Sequence, residues 1–194
     1  MLEKALRAEL AGISIRTYER GLVGGTGGNV SARLNETHML ITPSGVALGD
    51  TTVDNIVKVK LETLEWVPND PYIPSKEYKF HAAIFKARPD VNGIDHCHAP
   101  YATAYAVRKM DIPYVTDAAF KQPPMLHVDF SPSGSDDLAE KVARVIREND
   151  KFRVIMLDEH GIIIVGVDLV QAYNFADLTE EMAKIAYISS TIPG

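Results

Sequence analysis

Two apolar segments in the last third of the chain limit the folds that it can adopt. Residues 152–157 and 162–167 each have the length and apolar character of a buried strand, and only four residues separate them. So short a connection can join only antiparallel strands, because parallel strands need a crossover of a dozen or more residues. A sheet that contains this pair therefore cannot be purely parallel.

The other predicted elements would surround such a sheet. Apolar residues at helical spacing predict long helices over residues 2–20, 136–148 and 169–189, with Ser135 and Asp168 as N-caps of the last two. Shorter helices are predicted over residues 75–88, where Ser75 is the expected N-cap, and 101–109. Further strands are predicted over residues 30–33, 39–42, 54–59, 64–67 and 91–98. This order indicates a layered α/β fold with a mixed sheet, and residues 1–194 are expected to form one domain.

Composition excludes several classes of function. The chain is 46% hydrophobic and 24% charged, with a net charge of -6 and no basic stripe, so nucleic acid is not an expected partner. No segment approaches the roughly 20 apolar residues that span a bilayer, and the charged N-terminus does not resemble a signal peptide. The single cysteine, Cys97, cannot form an internal disulfide. We therefore expect a cytoplasmic protein in which Cys97 is a small buried side chain.

Three histidines have neighbours that point to a metal site. His96 and His98 are two residues apart in a predicted strand, so their side chains lie on the same face and could bind one ion. His160 lies in the tight turn between the two apolar strands, where a buried polar group needs a partner. A third histidine and a nearby carboxylate would complete a tetrahedral zinc site or leave one position open. A metalloenzyme is the leading hypothesis.

Other histidines and Glu77 have less specific surroundings. Glu77 at a predicted helix N-terminus could simply interact with the helix dipole. His81 follows it by four residues on the same helical face and is expected to make a structural hydrogen bond, although it could be a fourth ligand. His38 and His127 have no supporting context and are expected to have no special role.

Three segments have the composition of anion-binding loops. Residues 24–29 are rich in glycine, but no Gly-Lys-Ser/Thr follows, and a helix rather than a strand precedes them, so neither a P-loop nor a dinucleotide motif is indicated. Such loops do expose backbone N–H groups that can bind an anion. Residues 42–45 and Ser75-Lys76 offer similar donors, and the three together could form one phosphate pocket.

Together these segments resemble the zinc-dependent class II aldolase and adducin family. The resemblance covers nearly the whole chain, in the family's order, and rests on residues 25–31 (GTGGNVS), 42–45 (TPSG), 74–77 (PSKE), 96–98 (HCH) and 160–161 (HG). It implies a three-layer α/β/α fold with a central mixed, largely antiparallel sheet. It also implies a homotetramer with active sites between subunits.

The resemblance assigns roles to particular residues. It implies that His96, His98 and His160 bind Zn²⁺ (Mn²⁺ or Co²⁺ as alternatives), with Glu77 as a further ligand and as the catalytic acid and base. The residues implied to bind the substrate phosphate are Gly28, Asn29, Ser44, Gly45, Ser75 and Lys76. The implied activity is that of a metal-dependent aldehyde-lyase. It would cleave a ketose 1-phosphate, with L-fuculose 1-phosphate the best single candidate, to dihydroxyacetone phosphate and an aldehyde such as L-lactaldehyde, through a zinc-stabilised enediolate.

Two positions depart from the family pattern. Lys76 replaces a serine, and its ammonium group could bind either the phosphate or a substrate carboxylate. Asp117 lies at the position of the tyrosine that handles the aldehyde in a neighbouring subunit, and Tyr114 is the nearest tyrosine. Because of these departures, the resemblance defines the metal ligands and the phosphate-binding residues better than the identity of the aldehyde.

Other activities of the family are alternatives. They are a sugar-acid phosphate decarboxylase, which Lys76 favours, a pentulose-phosphate epimerase and a methylthioribulose-phosphate dehydratase. The epimerase would have an aspartate in place of Glu77. A non-enzymatic adducin-like module would lack the metal ligands, all of which occur here.

Overall fold

The computed structural model describes residues 2–149 and 151–193 of the chain. Its helices are α1 (Leu2–Glu19), α2 (Tyr78–Ala87), α3 (Pro100–Val107), α4 (Asp117–Phe120), α5 (Asp136–Glu148) and α6 (Leu169–Thr191). Its strands are β1 (Asn29–Arg33), β2 (His38–Ile41), β3 (Val57–Lys60), β4 (Gly93–Cys97), β5 (Leu126–Val128), β6 (Val154–Leu157) and β7 (Gly161–Gly166). No helix among these combines the length and the apolar character needed to cross a membrane.

The seven strands form one sheet in the order β3-β2-β1-β4-β7-β6-β5. All neighbouring strands are antiparallel except β5 and β6, which are parallel. The sheet is therefore mixed and largely antiparallel, as predicted. The β6–β7 hairpin that excluded a purely parallel sheet lies next to the central strand β4.

Helices cover both faces of the sheet. On one face α1, α3 and α6 contribute Leu10, Ala102 and Leu169 to an apolar cluster. On the other, α2 and α5 contribute Phe85 and Val142 to a second cluster. Two helical layers thus enclose the sheet, which confirms the three-layer α/β/α architecture.

The burial of strand β7 on both faces explains why its sequence is apolar throughout. Ile162 and Ile164 point into the first cluster, whereas Ile163 and Val165 point into the second. A half-buried strand would alternate apolar and polar residues, but a strand covered on both faces has no position for a polar side chain. Burial on both faces also opposes a one-residue slip in register, because the slip would exchange the two sets of side chains.

Several predicted elements differ from those observed. Helix α2 begins at Tyr78, with Glu77 at the N-cap position, so the prediction of Ser75 as the N-cap was wrong. Residues 64–67 were predicted as a strand but form none of the seven strands. They contribute an isolated β-bridge between Val59 and Trp66. Helix α4 and strand β5 were not predicted, because four and three residues are too few to show a period.

The sheet register brings distant residues to one edge of the central strands. His96 in β4 is paired with Asn29 at the start of β1. On its other side Cys97, the last residue of β4, is paired with Ile162 near the start of β7. The end of β4, the start of β7 and the start of β1 therefore meet at the same edge.

Candidate metal centre and anion pocket

Three histidine side chains converge at this edge of the sheet. One ring nitrogen from each of His96, His98 and His160 lies within 4.8 Å of the other two. The Nε2 atoms of His96 and His98 are 3.2 Å apart. His160 reaches them because a turn places it immediately before β7. The predicted grouping of these three histidines is thus present in the structure.

The orientation of His96 is fixed by a backbone hydrogen bond. Its Nδ1 atom lies 2.9 Å from the carbonyl oxygen of Ile162. A carbonyl oxygen only accepts hydrogen bonds, so Nδ1 carries a proton, and Nε2 faces His98 and Glu77. Backbone or carboxylate partners of this kind commonly orient metal-binding imidazoles.

Two glycines leave room for the His98 ring. A Cβ atom on Gly27 would lie 2.9 Å from His98 Nδ1, and one on Gly161 would lie 2.7 Å from His98 Cδ2. Larger residues at either position would displace the imidazole. Gly27 belongs to the glycine-rich segment and Gly161 follows His160, so these glycines give close packing at the site.

The electrostatic surroundings keep two of the histidines neutral. Burial, together with the neighbouring His96, lowers the pKa of His98 to about 4 and that of His160 to about 4. Neutral imidazole is the form that binds metal ions. At neutral pH both side chains are thus in the form that a metal site requires.

Glu77 lies beside the histidines rather than capping its helix. Its Oε2 atom is 3.1 Å from His96 Nε2 and its Oε1 atom is 3.3 Å from His160 Nε2. Burial would raise the pKa of Glu77, but the nearby His96 and a hydrogen bond from Ser133 outweigh it and hold this pKa well below its usual range. The carboxylate therefore remains charged, and its side chain makes no capping hydrogen bond.

The chemistry of these donors fits a divalent cation. Imidazole nitrogens and both Glu77 oxygens converge here at distances of 3.1–3.3 Å, so four donor side chains are available to one cation. Three histidines with one carboxylate form a common ligand set for zinc. The same donors accept Mn²⁺ and Co²⁺.

A cavity of about 360 Å³ opens beside the candidate metal ligands. All six residues predicted to bind phosphate line it: Gly28, Asn29, Ser44, Gly45, Ser75 and Lys76. Glu77 and His98 line the same cavity. The three candidate anion loops therefore do converge, and they do so next to the histidine cluster.

Gly28 illustrates how closely the backbone is packed here. Its φ angle is +72°, in the left-handed region, and a Cβ atom would lie 2.7 Å from the carbonyl oxygen of His96. The same atom would lie 2.5 Å from Val23 Cγ1. Both the backbone conformation and the available space thus require glycine.

Ser133 was not predicted from the sequence. Its hydroxyl donates a hydrogen bond of 2.7 Å to Glu77 Oε1, and it lines the cavity. It belongs to the loop before α5, which packs so closely that a Cβ atom on Gly134 would lie 2.9 Å from the carbonyl oxygen of Lys76. Serine in a loop with Pro and Gly is ordinary, so nothing in the sequence singled it out.

Asn29, which was predicted to bind phosphate, also contacts Glu77 and His81. It lines the cavity, and its Nδ2 atom also donates a hydrogen bond of 2.8 Å to Glu77 Oε2. Its other polar atom, Oδ1, lies 2.5 Å from His81 Nε2. The side chain therefore links the anion loop to the carboxylate.

The remaining histidines and Cys97 take no part in the three-histidine group. His81 is hydrogen-bonded to Asn29 and Ser31 and lies outside the three-histidine group. His38 contacts Thr37, and His127 pairs with Asp111, away from the site. Cys97 is fully buried, and burial raises the pKa of its thiol.

The two residues considered for the family tyrosine lie away from the cavity of their own chain. The Tyr114 hydroxyl donates a hydrogen bond of 2.8 Å to the carbonyl oxygen of Pro123. Asp117 is exposed and pairs with Lys121. Neither lines the cavity that contains Glu77.

Named relatives extend over most of the chain. An L-fuculose phosphate aldolase from Methanococcus maripaludis is 33% identical over 180 residues, which cover 90% of this chain and 92% of the relative. A 3-oxo-tetronate 4-phosphate decarboxylase from Pectobacterium atrosepticum is 30% identical over 195 residues, covering 96% of this chain and 85% of the relative. Both names describe enzymes that act on a phosphorylated substrate.

A solved structure and a family model agree with these relatives. YgbL from Escherichia coli superposes with a TM-score of 0.88 at 26% identity, covering 100% of this chain and 93% of YgbL. The sequence model described as "Class II Aldolase and Adducin N-terminal domain" matches residues 8–187. This chain therefore belongs to the class II aldolase and adducin family.

Proposed function

We propose that this protein is a metal-dependent aldolase. Its substrate would be a ketose 1-phosphate, with L-fuculose 1-phosphate the best candidate, and its products dihydroxyacetone phosphate and an aldehyde such as L-lactaldehyde. The observation that carries the proposal is the presence of three histidines, a charged glutamate and a cavity lined by the three candidate anion loops in one site. The aldolase from Methanococcus maripaludis supports this substrate class.

The histidine cluster would hold the metal. His96, His98 and His160, with Glu77 beside them, are the proposed ligands, and Zn²⁺ is the proposed ion, with Mn²⁺ or Co²⁺ as alternatives. A bound divalent ion supplies Lewis acidity that favours negative charge on substrate oxygens.

The cavity would hold the phosphate. Backbone N–H groups of Gly28 and Gly45, the hydroxyls of Ser44 and Ser75, and the Lys76 ammonium group are suitable donors for a phosphate dianion. Asn29 contributes an amide at the boundary between the cavity and Glu77. Binding here would place the carbons next to the phosphate beside the Glu77 carboxylate.

Glu77 is the proposed acid and base. Cleavage of the bond between C3 and C4, with loss of the C4 hydroxyl proton to solvent or to a base, leaves an enediolate of the three-carbon fragment. Glu77, once it has taken up a proton, would deliver it to the enediolate carbon. In the synthetic direction the carboxylate would remove that proton. Both oxygen atoms of Glu77 already accept hydrogen bonds, from Ser133 and Asn29, so its orientation is set before substrate binds.

A decarboxylase is the second candidate. Lys76 lines the cavity, and its positive charge is close enough to lower the pKa values of His98 and His160, after burial and His96. It could bind the carboxylate of a 3-oxo sugar-acid phosphate, whose loss of CO₂ leaves an enediolate of the same kind. The decarboxylase from Pectobacterium atrosepticum supports this alternative.

Proton exchange on dihydroxyacetone phosphate tests the proposal and does not require the identity of the aldehyde to be known. The zinc-loaded protein in heavy water should exchange one C3 hydrogen stereospecifically, as followed by NMR. Glu77→Gln should lower the exchange rate by roughly 100-fold or more, because it removes the proton-transferring group. The exposed Glu181→Gln is the matched control and should exchange at the wild-type rate.

The exchange result and an assay of CO₂ release together separate the two candidates. Zinc-dependent exchange that Glu77→Gln abolishes, without release of CO₂ from a 3-oxo acid 4-phosphate, would support the aldolase and leave only a screen of aldehydes. A zinc-loaded wild-type protein that exchanges nothing would contradict the aldolase. Release of CO₂ from a 3-oxo acid 4-phosphate by that protein would then support the decarboxylase.

We also propose a cytoplasmic homotetramer with active sites at subunit interfaces. Large apolar side chains are exposed after α3 and around α4, where Met110, Val115 and Phe120 are 48%, 45% and 69% exposed. A surface of this kind suits contact with another copy of the chain. Light scattering coupled to size exclusion would measure the mass, and a monomer would contradict the proposal.

A further inference from the structure

A line of buried hydrogen bonds leads from strand β1 to Glu77. Ser31 Oγ lies 2.6 Å from His81 Nδ1. His81 Nε2 lies 2.5 Å from Asn29 Oδ1, and Asn29 Nδ2 lies 2.8 Å from Glu77 Oε2. Ser31 and His81 are 0% exposed, while Asn29 and Glu77 are 3% exposed. The line thus runs from the interior to the cavity, which Asn29 and Glu77 line.

The chemistry of Glu77 sets the direction of every bond in this line. A carboxylate accepts hydrogen bonds, so Asn29 must present its NH₂ group to Glu77 and its carbonyl oxygen to His81. That oxygen also only accepts, so His81 Nε2 must carry a proton. Burial keeps the ring neutral by lowering the pKa of His81 to about 3. Nδ1 then carries no proton and accepts a hydrogen bond from the Ser31 hydroxyl.

The two oxygens of Glu77 have different surroundings. Oε2 is bonded to Asn29, whose position is fixed by the buried His81. Oε1 is bonded to Ser133, an exposed residue that lines the cavity. A substrate entering the cavity could displace the exposed serine hydroxyl from Oε1, whereas the bond to Oε2 comes from the buried Asn29, which His81 holds in place.

We propose that Ser31, His81 and Asn29 form a positioning relay for Glu77. The relay fixes Oε2 and directs Oε1 towards the substrate carbon. Proton transfer needs the acid and the carbon in hydrogen-bonding geometry, and small displacements of a catalytic group lower rates steeply. His81 is therefore a positioning residue that acts through Asn29 and has no contact with the substrate. This inference rests on the proposed acid and base role of Glu77.

The histidine tautomer provides a test that does not depend on activity. Zinc-loaded protein labelled with ¹⁵N-histidine is examined by NMR, and His81→Gln identifies the signals of residue 81. The relay requires a neutral ring with its proton on Nε2 and a bare Nδ1 at neutral pH. A proton on Nδ1 would reverse the bond to Ser31 and would overturn the relay.

Paired substitutions at His81 test its effect on rate. In His81→Gln the side-chain amide nitrogen can take the place of Nε2 as donor to Asn29, whereas His81→Leu offers no donor. The leucine variant should lower kcat for dihydroxyacetone phosphate exchange about tenfold or more, with KM and zinc content near wild type. The glutamine variant should retain most of kcat. His38→Gln, outside the site, is the control.

Ser31→Ala provides a milder variant, because it removes only the last hydroxyl of the line. It should lower kcat less than His81→Leu, again without a change in KM or zinc content. Equal kcat losses in the leucine and glutamine variants, or losses of zinc instead of kcat, would overturn the relay. A wild-type protein without exchange activity would overturn the proposed function, whereas the tautomer measurement would still decide the hydrogen-bond directions.

Discussion

Position 28 requires glycine for two reasons, its backbone conformation and the lack of space for a side chain. Substitution by alanine would place a side chain in the left-handed region and push a Cβ atom against the His96 carbonyl oxygen. We expect Gly28→Ala to lower the free energy of unfolding by about 2–4 kcal/mol, from backbone strain and overpacking together. Zinc affinity should fall as well, because His96 must shift. Urea denaturation and metal titration would measure the two effects.

Gly25 is the matched control for this prediction. Its φ angle is +57°, but a Cβ atom there would meet nothing within 4 Å. Gly25→Ala should therefore cost only about 1–2 kcal/mol of unfolding free energy, from the backbone alone, and should leave zinc affinity unchanged. Equal effects of the two substitutions on zinc affinity would show that the contact with His96 is unimportant.

The individual site residues differ in how far the sequence could predict them. His96 and His98 were identifiable because the two-residue period of a strand is a local rule. Their approach to His160 depends on the pairing of β4 with β7, which no local pattern specifies. The contact of Ser133 with Glu77 depends on the packing of one loop against another and left no signal in the sequence.

Helix α3 begins immediately after the histidine segment and depends on α6 for its N-terminus. Ala99 at its N-cap offers no side-chain acceptor. The buried Glu180 carboxylate of α6 instead accepts the backbone N–H groups of Tyr101 and Ala102 at 2.9–3.1 Å. A carboxylate at this end of a helix is also favoured by the helix dipole.

Removal of the charge at position 180 tests this contact. Glu180→Gln should lower the free energy of unfolding by about 1 kcal/mol, because the neutral amide is a weaker acceptor and loses the interaction with the helix dipole. Glu181→Gln, on the exposed side of the same helix, should change it by less than about 0.5 kcal/mol. Chemical denaturation of both variants makes the comparison. Equal losses would mean that the contact of Glu180 contributes nothing specific.

Helix boundaries were predictable where local chemistry alone decides them. Ser135 and Asp168 cap α5 and α6 as predicted, and each accepts a hydrogen bond from the backbone three residues ahead. The predicted start of α2 was wrong, because Glu77 occupies the N-cap position and its side chain is turned towards the histidines. Strand β5 is stable only through its parallel pairing with β6, so its three residues carried no pattern of their own.

Metal removal should lower the stability of the folded protein, since the proposed ligands come together only in that state. Zinc at 100 times its Kd would add about 2.7 kcal/mol, which corresponds to roughly 5–10 °C in Tm for a chain of this length. Thermal melts with added zinc and with EDTA would measure the shift.

His98→Ala should abolish the zinc-dependent part of the shift, and His38→Gln should preserve it. Identical melting temperatures for the wild-type protein in zinc and in EDTA would contradict a structural contribution from the metal.

The pairing of β4 with β7 also sets an order of events while the chain is being made. Gly93 pairs with Gly166, and the intervening residues include three helices and two other strands. Contacts between such distant parts of a chain form late, because the loop between them must close first. On a ribosome, His96 and His98 emerge well before His160, so the complete ligand set cannot assemble until β7 has been synthesised. Metal insertion is therefore expected to follow synthesis of β7.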